Sequence, residues 1–139
     1  MDAVRSGRAG AVRDWMSREP VTVTPETPIE HVIRLMRARA IRHVLVMDGD
    51  RLAGIVSNRD VRRLLLGGEH SIPPSAPVTR VMTESPVTVS PETPLTVAAR
   101  ELLDRKIGAL PVVEGDRPIG ILTKSDALEA LLAWAEGPK

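Results

Sequence analysis

PVTVTPETP spans Pro20 to Pro28, and PVTVSPETP spans Pro86 to Pro94. Each stretch alternates Val and Thr, as a half-buried strand does, and then turns at a proline-bounded tetrad. Working outward from this pair, a shift of 66 positions lays Val12–Leu66 on Val78–Leu132 without a gap. Of the 55 aligned pairs, 22 are identical. A duplication of this length, present in two copies, is too long for a solenoid unit. It predicts two half-domains related by a pseudo-two-fold axis, each covering the other's apolar face. Residues 1–11 read as a flexible arm, 12–66 as the first copy, 67–77 as a Gly/Pro/Ser-rich linker, 78–132 as the second copy and 133–139 as a tail.

Within a copy the periodicity predicts β-α-β-β-α. Val21-Thr22-Val23 is a short strand. Thr27 is placed to cap a helix, Pro28 to begin it, and Glu30 to complete a capping box. Ile29, Val32, Ile33 and Met36 then fall on one helical face, as do Leu95, Ala98, Ala99 and Leu102 after Thr93 and Pro94. Strands over 44–47 and 110–113 follow. Turns at Asp48-Gly49-Asp50 and Glu114-Gly115-Asp116 use glycine for positive φ. Return strands cover 52–56 and 118–122. Closing helices carry Val61, Leu64 and Leu65 in one copy and Ala127, Leu128 and Leu131 in the other, and Trp134 is expected to pack near the last helix.

Composition closes off several classes of function. Hydrophobic residues make up 42% and charged residues 27%, ordinary for a globular chain with a core. With two Trp, no Phe and no Tyr, that core is aliphatic, and an aromatic platform for single-stranded nucleic acid is missing. A net charge of +1 gives no general pull toward nucleic acid or an anionic membrane. The absence of cysteine removes disulfides and thiolate metal sites. No apolar run approaches the about 18 residues of a membrane span, and the amino terminus lacks a signal-peptide core, so a cytoplasmic location is expected.

The chemistry-bearing residues lie where the return strand meets the closing helix. Gly54-Ile55-Val56-Ser57-Asn58-Arg59-Asp60 is matched by Gly120-Ile121-Leu122-Thr123-Lys124-Ser125-Asp126. Ser57 and Thr123 fit helix caps, with Asp60 and Asp126 closing capping boxes. A helix start behind a strand also suits an anion, and a hydroxyl with a carboxylate suits the edge of a sugar. Arg59 and Lys124 stand between them and could meet a phosphate. Arg42 and His43 open the first central strand, but Gly108 and Ala109 stand at the matching places in copy two. The chain has three His and no Cys, no nucleophile with a base placed beside it, and no P-loop or dinucleotide fingerprint. No catalytic residue and no metal site is expected.

The order, spacing and duplication of these motifs resemble the cystathionine beta-synthase (CBS) domain pair, or Bateman module, over residues 12–132. The resemblance implies an α/β (α+β) fold of two tandem β-α-β-β-α motifs packed sheet to sheet, in a stand-alone CBS-pair protein. It further implies a non-catalytic regulatory module with clefts between the motifs. Those clefts take adenine nucleotides (AMP, ADP, ATP) or another adenosyl ligand as a regulatory ligand, with or without Mg²⁺, and no cofactor is required. On this resemblance Asp60 and Asp126 receive the ribose hydroxyls, and Ser57 and Thr123 lie near ribose or phosphate. Thr22, Val23, Thr88 and Val89 line the base pocket, and Arg42, His43, Val44, Ala109, Leu110 and Pro111 line the clefts. It also implies homodimers formed through the helices and a protein partner to regulate. A ligand-independent interaction module is the alternative, with Leu64, Leu65, Leu131 and Leu132 as candidate interface residues. Nucleic acid and membrane are not expected partners.

Overall fold

The structure, a computed structural model, describes residues 10–68 and 71–137. Most of the expected arm, residues 1–9, lies outside the described residues, as do two residues of the linker. Among the described residues there are four α-helices and two sheets, the α/β composition expected. The chain divides into two compact units. One comprises residues 20–86, and the other joins the chain up to Glu19 to everything from Val87 onward. These units do not coincide with the repeat frame. The leading segment of each copy belongs to the unit built on the other copy.

In the first-repeat unit, β2 (Thr22–Val23), β3 (His43–Asp48), β4 (Arg51–Ser57) and β5 (Thr83–Glu84) form one sheet in the order β2-β3-β4-β5. β2 runs parallel to β3, and the other neighbours are antiparallel. Helices α1 (Ile29–Arg39) and α2 (Asn58–Leu65) cover one face. Ile29, Val32 and Met36 are buried, as their spacing requires, against Val44, Val46, Val56 and Val61. Each such aliphatic side chain contributes about 1.5–3 kcal/mol by leaving water. Val78 and Val81, from the leading segment of the second copy, complete this core.

The second-repeat unit repeats the plan with β1 (Ser17–Arg18), β6 (Ala109–Glu114), β7 (Arg117–Thr123), α3 (Leu95–Arg105) and α4 (Lys124–Glu136). Its sheet has the order β1-β7-β6, and its core takes Val12 and Met16 from the leading segment of the first copy. The expected strand over Val87-Thr88-Val89 shrinks to a single bridge between Val89 and Val112. The reason is covalent. Leu45 donates its N–H to the Val21 carbonyl at 3.0 Å in the first-repeat unit. The matching residue is Pro111, which has no N–H to give.

The short strands β1 and β5 are absent from the periodicity reading, and they explain a glycine in each return strand. A Cβ at Gly54 would sit 2.6 Å from Met82 Sδ and 2.8 Å from the Thr83 carbonyl. At Gly120 it would sit 2.7 Å from the Ser17 carbonyl and 2.9 Å from Met16 Sδ. Glycine is needed there so that the borrowed strand can approach. Gly49 and Gly115 adopt the positive φ expected of the hairpin turns, +63° and +62°.

Three expectations are corrected. First, Thr27 and Thr93 do not cap the helices, and Glu30 makes no capping box. Thr27 Oγ1 accepts from the Thr24 N–H at 3.2 Å and Thr93 Oγ1 from the Ser90 N–H at 3.0 Å, closing the turn before each helix. The free helix amides are met by main chain from the adjoining segments. Ile29 and Glu30 donate to the Ala76 and Pro74 carbonyls, and Leu95 donates to that of Gly10, all at 2.9 Å. Second, Ala127 and Ala130 face the core on α4, while Leu128 and Leu131 are 59% and 52% exposed. Third, α4 runs through the expected tail to Glu136, so Trp134 stands on this helix, half exposed, rather than packing beside it.

Candidate functional site

Strand pairing decides which expected site residues can act together. His43 pairs with Ser57, and Thr22 with Leu45. Directly paired residues share a sheet face, and neighbours along a strand alternate. Val44 and Val46 point into the helix-side core. Thr22, His43 and Ser57 therefore lie on the opposite face, with Thr22 level with Leu45 and Ser57 level with His43, two residues apart along β3. In the second-repeat unit Ala109 pairs with Thr123 and Pro111 with Ile121, while Leu110 and Val112 enter the core. Thr88, Ala109 and Thr123 are the matching trio.

Val23, Val44, Val89 and Leu110 are not brought into this set by their side chains. All four are core residues, Val44 and Leu110 wholly buried. Of Val23 and Val89, only the main chain stays near the site. Val89 uses both its N–H, to the Pro111 carbonyl at 3.1 Å, and its C=O, from the Val113 N–H at 2.8 Å. Alternation turns the Thr88 N–H and C=O toward the open sheet edge. Thr22 stands likewise at the outer edge of β2, because Val21 is the residue bonded to β3.

At the strand-to-helix junctions Ser57 and Thr123 take the capping role expected of them. Each hydroxyl is a cap: Ser57 Oγ accepts from the Asp60 N–H at 3.1 Å, and Thr123 Oγ1 from the Asp126 N–H at 3.2 Å. The carboxylates differ. Asp126 Oδ2 accepts from the Thr123 N–H at 2.8 Å, closing a full capping box. Asp60 Oδ1 accepts instead from Arg63 Nη2 at 2.8 Å. Each carboxylate keeps its second oxygen outside these bonds. Asp60 and Asp126 are half-buried, and Arg42, Arg59 and Lys124 are exposed.

His43 is half-buried beside this cluster. Burial pushes its pKa below the ordinary histidine value, a nearby Asp60 opposes that shift, and Arg42 adds to it. At neutral pH it is an uncharged hydrogen-bonding group. The positive charge of this site comes from Arg42 and Arg59, that of the other from Lys124 alone.

A hollow of about 430 Å³ opens beside the loosened edge of the second-repeat unit, between Val87, Thr88, Ser90, Val97, Glu101 and Val113. It takes in Thr88 and Val89 from the expected site but none of Ala109, Leu110, Pro111, Thr123, Lys124 or Asp126. The periodicity reading did not find it; the signal available was Pro111 at a ladder position. Among the described residues no cluster of three or more His, Asp or Glu could hold a metal ion. No helix among them is long and apolar enough to cross a membrane.

Comparison with known proteins identifies the family. The inosine-5'-monophosphate dehydrogenase of Korarchaeum cryptofilum is 38% identical over 113 residues, 81% of this chain but only 22% of that enzyme. The chain therefore spans under a quarter of that relative. The crystal structure of CBSX2 in complex with AMP superposes with a TM-score of 0.75 at 31% identity, covering 88% of this chain and 96% of CBSX2. A putative acetoin utilization protein (AcuB) from Vibrio cholerae superposes with a TM-score of 0.75 at 34% identity, covering 93% and 98%. The CBS domain model matches twice, at residues 12–67 and 78–133, so the chain belongs to the CBS domain family and carries that domain as a tandem pair.

Proposed function

We propose that the chain is a non-catalytic sensor that binds an adenine nucleotide or related adenosyl ligand on the helix-free sheet face of its units. One observation carries the reading. Strand register sets Thr22, His43 and Ser57, or Thr88, Ala109 and Thr123, on one sheet face, and the helix cap keeps Asp60 or Asp126, half-buried, beside the hydroxyl. Edge amides and carbonyls suit a purine, whose recognition needs no aromatic wall, and a carboxylate oxygen suits a ribose diol. The likeness to the AMP-bound CBSX2 chain supports the ligand class. A phosphate favours the first-repeat unit, where Arg42 and Arg59 are exposed, over the site whose strand begins Gly108-Ala109. Ligand binding would then bias the packing of the chain by population shift.

Thermal melting with AMP, ADP, ATP and S-adenosylmethionine tests this. A ligand at about 100 times its Kd adds about 2.7 kcal/mol, which raises Tm by roughly 5–15 °C at this size. Arg42→Ala weakens AMP binding by about tenfold while leaving adenosine binding intact. No shift with any of the four at millimolar concentration, with Asp60→Ala and Asp126→Ala equally inert, would overturn the proposal. A second reading, an interaction module that works without ligand, draws on the half-exposed leucines of α4. Assembly with a partner that is indifferent to nucleotide would favour it.

A further inference from the structure

His43 stands at the start of β3, and the repeat shift sets Ala109 in its place on β6. The surroundings differ as well: Arg42 is matched by Gly108 and Arg59 by Ser125, while Asp60 is matched by Asp126. Strand pairing fixes the imidazole on the helix-free face, level with Ser57. The Asn58 N–H donates to the Arg42 carbonyl at 2.8 Å, which ties the start of β3 to the start of α2. On the neighbouring strands, Thr22 and Ser57 share the face of the ring and carry no charge. The charges that act on it are those of Asp60, from α2, and Arg42, from its own strand. Asp60 divides its pull, because its Oδ1 already accepts from Arg63. Burial, opposed by Asp60 and aided by Arg42, prevails, and the free site holds an uncharged ring at neutral pH.

A phosphate reverses that balance. Drawn to the exposed Arg42 and Arg59, it adds a charge of about −1.5 to −2 where one shared carboxylate already pulls on the ring. It also presents acceptor oxygens, and an imidazolium donates from both nitrogens where the neutral ring donates from one. Half-burial strengthens both effects, since charges there are less screened than in open water. We infer that the first-repeat site binds a phosphorylated ligand together with a proton taken up by His43, whereas the second-repeat site binds its ligand without one. This rests on the nucleotide reading above and adds a pH dependence that one copy has and the other lacks. The sign follows from linkage. A ligand that prefers the protonated ring binds more tightly as pH falls, by at most about tenfold per pH unit for one proton. The affinity rises through the interval between the ring's pKa in the bound site and its lowered value, below about 6.5, in the free one.

Titration calorimetry of the full chain with AMP, run in buffers of different ionisation enthalpy, counts the protons taken up. Wild type takes up a fraction of a proton per AMP, and its Kd falls by about three- to tenfold from about pH 8 to about pH 6.5. Adenosine, which has no phosphate, binds without uptake. His43→Gln binds AMP without uptake, and its Kd changes by less than about twofold over the same interval. The titration of the AMP phosphate itself, near about pH 6, is common to both proteins and cancels in the comparison. A second measurement needs no substitution in the protein that is read. The carbon-bound ring protons of His43, assigned from the signal that His43→Gln lacks, titrate in the wild type at a higher midpoint once AMP is added. AMP binding without proton uptake, equal uptake in wild type and His43→Gln, or a midpoint that stays or falls overturns the inference and leaves the nucleotide reading standing. Failure of AMP to bind at millimolar concentration also overturns it, and the four-ligand melting series then decides separately on the nucleotide reading.

Discussion

The two units share a scaffold and differ at its edges. Where the copies are identical, the residues build elements: PVTV and PETP at the entrance, Gly49-Asp50-Arg51 and Gly115-Asp116-Arg117 at the hairpin, Gly-Ile and Asp at the exit. Where they diverge in charge, changes fall at the start of the central strand and on the closing helix. Arg42-His43 stands against Gly108-Ala109, Arg63 against Glu129, and Arg62 against Leu128. One scaffold thus carries a cationic, histidine-bearing site beside a basic helix in one unit. In the other it carries a nearly uncharged site beside a leucine-faced helix. The duplication keeps its frame through turn and glycine positions and through aliphatic character in the core, where Val32 is matched by Ala98 and Met36 by Leu102 across the repeat, while charge at the surface is free to change.

The largest expected effect tests what the units share. Gly54→Ala or Gly120→Ala drives a Cβ into the borrowed strand and costs about 1–3 kcal/mol by overpacking, read as a lower denaturation midpoint. An unchanged midpoint for both would mean that the borrowed strands do not define the units.

A smaller effect separates the two carboxylates. Asp126→Ala opens a complete capping box and costs about 1 kcal/mol. Asp60→Ala removes an ion pair to the largely exposed Arg63 and costs only a few tenths of a kcal/mol. Equal losses in denaturant titrations would erase the asymmetry drawn from their different hydrogen bonds.

The smallest effect belongs to His43. Its depressed pKa means that the unfolded chain takes up a proton more readily than the folded one. Stability is therefore flat above about pH 6.5 and falls as pH drops below it, levelling off once the folded histidine titrates too. His43→Gln removes this contribution. A wild type and variant with parallel stability profiles between neutral and mildly acidic pH would contradict it.

Much of this fold can be read from residues alone. Val and Thr alternation, the Ile29-Val32-Met36 stripe and the glycine turns are local patterns, because side-chain direction follows from backbone period. The caps at Ser57 and Thr123 are local too, and each lies within one turn of its helix. Thr27 misleads for the same reason: its hydroxyl has two nearby uses, and its choice depends on carbonyls supplied from Pro74 and Ala76, far along the chain. Val44 and Leu110 mislead because a strand places neighbours on opposite faces, and only the packing of the helices says which face is core.

From its order of residues this chain determines its duplication, its long strands and its helix starts, and the neighbourhood of hydroxyl and carboxylate at the strand-to-helix junctions. Each of these rests on interactions a few residues long. The tertiary structure alone decides that the leading segment of each copy completes the other copy's unit, that Gly54 and Gly120 exist to admit it, and that α4 leaves its leucines in water. Those outcomes depend on contacts between segments far apart in sequence, where near-identical repeats offer two partners and only packing selects one.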